Sequence, residues 1–396
     1  MKLLFCNFEY PPLGGGGGVV NAWLAEELAT RHDVTVLTSQ GFHLPREEKC
    51  GGVRILRVPV LFRRQLAAAN LPSMFAYMVN GIREGGRLLE RESFDVINTH
   101  FVLPSGPVGA RLAYRFGIPN VVSVHGGDLY DPSKRTSPHR HALLRSWVRR
   151  LLRSADHVVG QSQNTLDNMR RFYTPELGGE LIPLGIRRPP AAAGNRGDYG
   201  FAPDEILLTT VGRLVARKAI TQLLTVTAAL GNANVRLLVI GDGPQRDELV
   251  RRAGELAVAD RVHFLGHVDE DEKFRILRMS DVFVSTSQHE GFGLVFLEGM
   301  AAGLPVVSYD HGGQTDFLAS DRTGYLVALN DETAFLDACR RLVREPALGK
   351  HMGQENRARA EAFFIDRCAE QYERVFEAAV TASTRSRRLT IGAGRY

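Results

Sequence analysis

The sequence has few cysteines and no long apolar run, and these absences exclude several classes of protein. Its cysteines are scattered without a CxxC pair (Cys6, Cys50, Cys339 and Cys368), which argues against a zinc site or a disulfide framework and fits a reducing cytosol. No run of about 18 apolar residues is present, so no membrane-spanning helix is predicted. The first residues, MKLLFCNFEYPP, lack a basic flank, a long apolar stretch and a cleavage site, so no signal peptide is expected and a cytoplasmic location is predicted.

The length and the charge distribution indicate a soluble protein with two unlike halves. The 396 residues are too many for one ordinary core and suit two α/β domains. Residues 1–188 hold 24 Lys and Arg against 16 Asp and Glu, a balance of +8, whereas the remainder holds 25 against 28, a balance of −3. A basic half is typical of proteins that meet nucleic acid, an anionic membrane surface or an anionic substrate.

Short apolar runs alternate with helical stretches along most of the chain, which predicts parallel sheets covered by helices on both faces. The segment 186–200, IRRPPAAAGNRGDYG, predicts a linker between domains 1–185 and 201–362, because Pro, Ala and Gly replace periodic structure there. The basic end of the chain, 383–396, is expected to be a flexible tail. The predicted strands are Leu3–Asn7, Val34–Thr38, Val53–Val58, Val96–Thr99, Val121–Val124, His157–Gly160, Leu181–Pro183, Ile206–Val211, Val235–Ile240, Val262–Leu265, Val282–Ser285, Pro305–Ser308 and Tyr325–Val327.

Two glutamates eight residues apart mark the strongest candidate site. The stretch SQHEGFGLVFLEGMAAGLP (287–305) follows the apolar run DVFVSTS, so it lies at the carboxyl end of a strand and opens a helix. Ligands of open α/β sheets bind at that edge, and free N–H groups at a helix start attract negative oxygens. Glu290 and Glu298 could also be a cap and a solvated side chain. The apolar residues Leu294–Leu297 beside Glu298 favour a buried and therefore functional carboxylate.

The stretch EGFGLVFLEGMAAGLPVV resembles the E-x7-E signature of the retaining glycosyltransferases of family 4. That resemblance implies a GT-B fold, in which two Rossmann-like domains face each other across a cleft and the C-terminal one holds a nucleotide-sugar. It implies that Glu290 binds sugar hydroxyls and Glu298 the ribose hydroxyls of the donor. The backbone between them would meet the sugar and the diphosphate, at Gly291, Phe292, Gly293, Leu294 and Val295.

Other parts of the second half resemble further elements of the family. VGRLVARKA is similar to the family's G-R-L…K-G element, which implies that Gly212 lies near the diphosphate and that Arg213 and Lys218 neutralise it. An unrelated pair of solvated cations is the alternative. Ala219 stands where the family has glycine, which is expected to tighten the loop.

The next two turns complete the resemblance on the donor side. VIGDGP is similar to a second glycine turn, with Gly241 and Asp242, and VHFLGHV resembles the stretch whose backbone meets the base, near His267 and Val268. HGGQTDFL resembles a GG-x-x-E element with Asp316 in place of Glu.

In the first half, a run of five glycines follows the first strand. YPPLGGGGGVVNAW resembles the family's P-x-x-G-G element, which implies that Gly15, Gly16 and Gly17 bring amides close to the diphosphate; a flexible loop is the alternative. VVSVHGGDLY resembles the family's T-x-H-G-x-D element, which implies catalytic roles for His125 and Asp128. His125 could equally position the donor sugar, or be a structural residue.

Two further segments resemble known elements but are interpreted differently. Asp269, Glu270 and Asp271 form a DxD pattern, which binds metal in other glycosyltransferases, but here they precede a helical segment and are predicted to cap it. No metal and no cofactor is therefore expected. FFIDRCAEQYERVFEAA resembles the family's final helix, which implies that residues 363–382 cross back onto the first domain.

Two basic, partly apolar segments suggest the acceptor. HRHALLRSWVRRLLR (139–153) places Leu143, Leu144, Trp147 and Leu151 on one stripe, and FRRQLAAANLPSMFAYM (62–78) is similar. Such segments suit a surface of anionic lipids, although both stripes could pack on their own sheet. Nucleic acid is the weaker alternative because aromatic–basic clusters are few.

The sequence therefore predicts transfer of a sugar from a nucleotide diphosphate donor, with UDP favoured over GDP, to an acceptor hydroxyl. The resemblance implies retention of configuration, and a glycolipid or saccharide acceptor is expected, as in lipopolysaccharide or exopolysaccharide synthesis. The alternatives are a nucleotide-sugar epimerase and a nucleotide-sugar-binding module without catalysis.

Overall fold

The computed structural model describes residues 1–63, 70–132, 134–192 and 194–393. These residues form two compact units, one within residues 1–185 and 365–393 and the other within residues 186–364. The elements of the first 185 residues are β1 (Lys2–Asn7), α1 (Gly16–Leu28), β2 (Asp33–Ser39), β3 (Glu47–Cys50), β4 (Val53–Val58), α2 (Leu71–Leu89), β5 (Val96–His100), α3 (Gly106–Phe116), β6 (Asn120–Val124), α4 (Ala142–Arg153), β7 (His157–Gly160), α5 (Gln163–Phe172) and β8 (Glu180–Leu181). The remaining elements are β9 (Ile206–Val211), α6 (Ile220–Leu230), β10 (Val235–Ile240), α7 (Arg246–Glu255), β11 (Val262–Gly266), α8 (Glu270–Met279), β12 (Val282–Ser285), α9 (Leu294–Ala302), β13 (Val306–Tyr309), β14 (Gly324–Val327), α10 (Glu332–Arg344), α11 (Pro346–Ala360) and α12 (Ile365–Ala393).

The first unit is built on a sheet with the strand order β3-β4-β2-β1-β5-β6-β7-β8. Its strands are parallel except β3, which pairs antiparallel with β4. The central strands are buried along nearly their whole length because helices cover both faces. The direction of winding changes between β1 and β5, so the loops after these two strands lie side by side.

The predicted parallel sheet is confirmed for the first unit, and it gains one antiparallel strand, β3, at its edge. The β3 segment, Glu-Glu-Lys-Cys, is mostly exposed and carries no apolar alternation, so its sequence gave no strand signal. Its charged side chains are typical of an edge strand that does not pair further. The other predicted strands are present within one or two residues, although β8 is only two residues long.

The second unit is a parallel sheet with the order β11-β10-β9-β12-β13-β14. Its first strand, β9, is central, with β10 on one side and β12 on the other, so the winding changes direction between β9 and β12. The hydrophobic core beneath it draws on β9, β10, α6 and α10. Each unit is therefore a doubly wound α/β sheet of the Rossmann-like type.

Within the predicted linker 186–200, the described residues 186–192 and 194–200 belong to the second unit and contact it. Ile186 forms an isolated parallel bridge with Phe364, and the amide of Gly194 donates to the carbonyl of Arg275. A short 3-10 helix covers Arg196–Tyr199. The Arg196 guanidinium is anchored by an ion pair with Asp281 at 2.8 Å.

The last helix returns to the first unit and is longer than predicted. It packs on α1, where Glu373 accepts hydrogen bonds from Arg31 and His32 at 2.8 Å each. The helix runs to Ala393, whereas the sequence placed its end at 382 and expected a flexible tail beyond it. The final residues, 394–396, lie outside the described part of the chain.

The two basic segments differ in how they pack. In α4 the buried residues are Val148, Leu151 and Leu152, so this side of the helix packs on its own sheet. Of the predicted stripe, Leu151 is buried and Leu143 is exposed, so only part of it packs on the sheet. In α2 an exposed face carries Leu71, Phe75 and Val79. Part of the segment 62–78, residues 64–69, lies outside the described residues. In the part of the chain that is described, no helix has the length and hydropathy needed to cross a bilayer.

Candidate active site

The loops after β9 and β12 form a densely hydrogen-bonded polar cluster in the second unit. Both leave the carboxyl edge of the sheet at the point where the winding changes direction, which is where open α/β sheets bind ligands. The amide of Gln288 donates to the carbonyl of Arg217 at 2.8 Å, and the Thr286 hydroxyl donates to the carbonyls of Lys218 and Ala219 at 3.1 and 3.0 Å. These bonds hold the two loops in one fixed arrangement.

Glu290 lies at the centre of this cluster, between two cations. Its Oε1 accepts from the Lys218 ammonium and from the Ser287 hydroxyl, the latter at 2.7 Å, and its Oε2 accepts from Arg217 Nη1 at 3.2 Å. Arg217 also donates to the carbonyl of His289. Lys218 and Glu290 are both buried. The structure therefore joins two residues that the sequence assigned to separate parts of the donor, and it adds Arg217 and Ser287 to them.

The charges of this cluster keep Glu290 ionised. Burial alone would raise its pKa, but the positive charges of Lys218 and Arg217 outweigh burial and lower the pKa to about 2. The cluster holds two cations against one carboxylate, so it keeps one net positive charge at the sheet edge. A site of this kind favours an anionic ligand.

The start of α9 presents backbone donors next to Glu290. Gly293 precedes the helix with a φ of 97°, a conformation that a side chain disfavours, and no side chain caps the helix. Glu290 is therefore not the N-cap. The first N–H groups of a helix have no partner within it, so those of Leu294 and Val295 point out of the helix start. Phe292 is buried against Phe317, so only its backbone can meet a ligand.

The second glutamate of the pair is also buried, and it faces a lysine. Glu298 Oε1 lies 2.9 Å from Lys273 Nζ of α8, while its Oε2 is buried without a hydrogen-bond partner among the described residues. Burial raises the pKa of Glu298, against the effect of Lys273. Burial opposes the charge of Lys273 as well, but Glu298 and Glu270 together raise the pKa of Lys273. The alternative that Glu298 is a solvated helix residue is excluded.

The glycine turn after β10 packs against the loop after β9. A Cβ on Gly241 would lie 2.1 Å from the carbonyl oxygen of Gly212, so only glycine fits there. The carbonyl of Asp242 accepts from the amide of Leu214 at 2.9 Å, and its carboxylate accepts from the amide of Gly243 in its own turn at 2.7 Å. This turn therefore packs against the loop after β9 and fixes its position.

The remaining predicted residues of this unit lie at the surface of the same edge. Arg213 and His267 are exposed and Val268 is half-buried. Asp316 ends a short 3-10 helix and is exposed, but the same loop is tied to the site because the amide of Gly313 donates to the carbonyl of Glu290 at 2.9 Å.

In the first unit, the glycine run forms the start of α1. Gly15 is the N-cap residue and Gly16 begins the helix, so the run is a helix start and not only a flexible loop. A Cβ on Gly17 would lie 2.9 Å from the ring of Phe101, in the loop after β5. The glycines thus stand at the carboxyl edge of their sheet, beside the change of winding.

His125 and Asp128 lie in the loop after β6, and they differ in what they touch. Asp128 accepts hydrogen bonds from the backbone amides of Val102 at 2.7 Å and His125 at 2.9 Å, so each of its carboxylate oxygens is hydrogen-bonded to the backbone. Burial raises its pKa to about 6, against these hydrogen bonds. The geometry favours a positioning role for Asp128 over the catalytic role that the sequence predicted. The centroid of the His125 ring lies 4.3 Å from that of Phe101, with the two rings tilted by 31°, and His125 also contacts His100.

The DxD segment behaves as predicted from its place before a helix. Asp269 is the N-cap residue of α8, and its carboxylate accepts from the amide of Glu272 at 2.8 Å. Within the ranges that the structure describes, no cluster of three or more His, Cys, Asp or Glu side chains could hold a metal. The expectation that no metal takes part stays a prediction.

Sequence reasoning missed four residues of these sites: Arg217, Ser287, Lys273 and His100. Arg217 stands directly before Lys218, and the adjacency of two cations was the available signal. Lys273 and His100 gave no local signal, because their contacts to Glu298 and His125 arise only from packing.

Comparisons with known proteins agree with this architecture. The family model described as Glycosyl transferase 4-like domain matches residues 15–185, and the one described as Glycosyl transferases group 1 matches residues 194–359. N-acetyl-alpha-D-glucosaminyl L-malate synthase from Bacillus anthracis is 26% identical over 95% of this chain and 97% of its own. D-inositol 3-phosphate glycosyltransferase from Streptomyces avermitilis is 28% identical over 94% of this chain and 84% of its own.

Solved structures show the same fold. Sucrose-phosphate synthase from Thermosynechococcus elongatus superposes with a TM-score of 0.83 at 25% identity, over 96% of this chain and 100% of that one. HepE from Anabaena, solved in complex with UDP and glucose, superposes with a TM-score of 0.76 at 19% identity, over 96% of this chain and 100% of its own.

Proposed function

The chain belongs to the group 1 glycosyl transferases, the family-4 enzymes of GT-B fold, and we propose that it transfers a sugar from a UDP-sugar to an acceptor hydroxyl with retention of configuration. The observation that carries this proposal is the cluster of buried Lys218 and Glu290 with half-buried Arg217, beside the open helix start at Gly293. It offers cations and amides to phosphate oxygens together with a carboxylate for hydroxyls.

The chemistry asked of these residues is positioning and charge stabilisation. As the sugar leaves, negative charge grows on the diphosphate, and Lys218, Arg217 and the first amides of α9 would stabilise it. Attack by the acceptor and departure of the diphosphate would occur on the same face of the sugar. A phosphate oxygen of the donor would take the acceptor proton, so no protein base is needed on this route.

UDP is favoured over other diphosphates by the solved relatives. HepE is solved with UDP, with UDP and glucose, and with UDP-glucose. The buried Glu298, with one free carboxylate oxygen, would accept from the ribose hydroxyls of such a donor. Screening UDP, GDP and ADP by thermal stabilisation tests the choice of base, since a ligand at a hundred times its Kd stabilises by about 2.7 kcal/mol.

Lys218→Ala and Glu290→Ala are each expected to lower the transfer rate at least about a hundredfold, as loss of an electrostatic contact to the transition state does elsewhere. The measurement is release of UDP in the presence and absence of acceptor sugars. Glu290→Gln keeps the side-chain volume and isolates the loss of charge. Lys350→Ala, which removes an exposed lysine of the same unit, is the matched control and should leave the rate unchanged.

Near-normal rates in both Lys218→Ala and Glu290→Ala would overturn the site. Conversion of the donor sugar to its epimer in the absence of acceptor would show that the protein is an epimerase and not a transferase. Nucleotide-sugar binding with no turnover across an acceptor panel would leave only a binding module.

We also propose that the acceptor is a glycolipid or saccharide met at an anionic membrane surface. The exposed apolar residues of α2, Leu71, Phe75 and Val79, recur every four residues and are followed at the same spacing by exposed Arg83. An apolar stripe with basic neighbours suits the boundary between headgroups and acyl chains.

A further inference from the structure

A line of hydrogen-bonded side chains crosses the buried interior of the first unit and ends at His125. The Tyr372 hydroxyl of α12 lies 3.0 Å from Ser123 Oγ, and Ser123 Oγ lies 3.0 Å from Asn98 Oδ1. Asn98 Nδ2 lies 2.9 Å from His100 Nε2, and His100 Nδ1 lies 3.1 Å from His125 Nε2. All five residues are buried, and His125, the most accessible, is only 7% exposed.

The direction of these hydrogen bonds follows from the hydroxyl of Tyr372 at one end of the line. In the described structure, Ser123 is the hydrogen-bond partner of the Tyr372 hydroxyl, so the phenol hydrogen must point to Ser123 or remain unpaired. When Tyr372 donates, Ser123 donates in turn to Asn98 Oδ1, and the amide group of Asn98 donates to His100 Nε2. The reverse order leaves a buried phenol hydrogen without an acceptor, which costs about 1–3 kcal/mol.

This direction fixes the hydrogen on each imidazole. A neutral imidazole carries one N–H and one acceptor nitrogen. Because His100 accepts at Nε2, its hydrogen is on Nδ1 and is donated to His125 Nε2. His125 therefore accepts at Nε2 and carries its own hydrogen on Nδ1. Both rings are neutral near pH 7, because burial lowers the pKa of His125 to about 4 and that of His100 well below its ordinary value.

The Nδ1–H group at the end of the line has no hydrogen-bond partner within the described structure. Nδ1 of His125 is buried and unpaired. The side chain of Gln161 lies beside the ring, where its hydrogen-bonding interaction raises the pKa of His125 against the larger effect of burial, but Nδ1 has no hydrogen-bond partner of regular geometry. The Nε2 of Gln161 donates to the carbonyl of His125 at 2.5 Å. The loop is thus held in place while one ring donor is left for a ligand. An unsatisfied buried polar group in a native structure calls for such a partner.

We propose that Tyr372, Ser123, Asn98 and His100 are positioning residues that hold His125 as the Nδ1–H tautomer, so that His125 donates a hydrogen bond to a sugar oxygen and does not act as a base. The nature of the ligand rests on the proposed function, but the tautomer does not. An imidazole with hydrogen on Nδ1 has no lone pair there with which to take a proton from the acceptor.

The tautomer can be measured without any transfer reaction. The full-length protein labelled with 15N-histidine would be recorded by long-range 1H–15N correlation NMR, with His125→Asn assigning the signals of residue 125. We expect a protonated, pyrrole-type Nδ1 and an unprotonated, pyridine-type Nε2 at neutral pH. The opposite assignment would overturn the proposal, whatever reaction the protein catalyses.

A second variant tests whether the far end of the line sets this state. Tyr372→Phe keeps the ring and removes the terminal donor, and Tyr77→Phe is the matched control, since Tyr77 is equally buried but its hydroxyl donates to the carbonyl of Leu37 at 2.9 Å. Tyr372→Phe should mix the two tautomers of His125 and lower kcat/KM for the donor about tenfold, the effect of one hydrogen bond. Tyr77→Phe should change neither quantity. An unchanged His125 signal in Tyr372→Phe, or equal losses in both variants, would refute the relay.

Discussion

At the scale of single residues, Ala219 carries a local strain that its neighbours maintain. It lies between Lys218 and α6 with φ 48° and ψ 38°, a left-handed conformation that costs a residue with a Cβ about 1–2 kcal/mol. Its carbonyl accepts from Thr286, and so does the carbonyl of Lys218. The bend that strains Ala219 is therefore the one that turns Lys218 towards Glu290.

Ala219→Gly is expected to raise the free energy of unfolding of the second unit by about 0.5–1 kcal/mol. Relief of the left-handed strain is partly offset because glycine has more freedom in the unfolded chain. Urea unfolding followed by a probe in the second unit measures the change. Ala358→Gly, at an exposed helical site of α11, is the control and should lower stability by up to about 1 kcal/mol. Destabilisation by both changes would show that Ala219 is not strained.

The sequence predicts the position of a site residue when the position follows from the residues next to it, but not when it depends on contacts between distant segments. Lys218 and Glu290 each stand in a glycine-bearing loop directly after a buried strand, so their place at one sheet edge followed from the order of strands. Their mutual ion pair did not follow, because it depends on how two loops separated by about 70 residues bend towards each other. Lys273 was missed for the same reason, since only the packing of α8 against α9 brings it to Glu298.

At the scale of elements, periodicity located the strands well where burial is continuous and failed where it is not. Parallel strands covered on both faces are uninterrupted apolar runs, such as Val235–Ile240, and their bounds were predicted closely. The edge strand β3 has no such run. In α4 the apolar residues are numerous enough to suggest more than one stripe, and only packing selects the face through Val148.

Helix α8 provides a test of the DxD segment. Asp269→Ala removes the carboxylate that accepts from the amide of Glu272 and is expected to lower stability by about 1 kcal/mol. Asp271→Ala removes an exposed acid from the first turn without touching the cap, and should lower stability by only about 0.3–1 kcal/mol, through the helix dipole. Urea unfolding of the two variants makes the comparison.

The same pair of variants separates the capping and metal-binding interpretations. If the segment only caps α8, sugar transfer by the purified protein should be unaffected by EDTA, and Asp269→Ala should retain the wild-type rate at a temperature where it is fully folded. Loss of transfer in EDTA, restored by Mn²⁺ or Mg²⁺, would show that the acids bind a metal.

At the scale of the whole molecule, the charge and the exposed apolar area fall in the same part of the chain. Residues 1–188 carry the excess of positive charge, and α2 within them exposes Leu71, Phe75 and Val79, with Phe75 64% exposed. Leu61 and Phe62, just before the undescribed residues 64–69, are exposed as well. Isolated exposed apolar residues are ordinary, but a series at helical spacing beside arginines is typical of a contact surface. The remainder of the chain, residues 189–396, has no comparable basic excess.

This arrangement predicts binding to anionic vesicles through α2. The full-length protein should co-float with phosphatidylcholine vesicles that contain phosphatidylglycerol, should not co-float with phosphatidylcholine alone, and should bind less at high salt, because the attraction between exposed charges is screened. Phe75→Ser with Val79→Ser should lower the partition coefficient at least about tenfold, since each apolar side chain contributes on the order of 1.5–3 kcal/mol when buried. Tyr114→Ser, at a still more exposed site on α3, should leave binding unchanged. Equal flotation of the double variant and the wild type would exclude α2 as the membrane contact. If the wild type does not float, the membrane-surface proposal is refuted, and sugar transfer to a soluble acceptor stays a separate proposal.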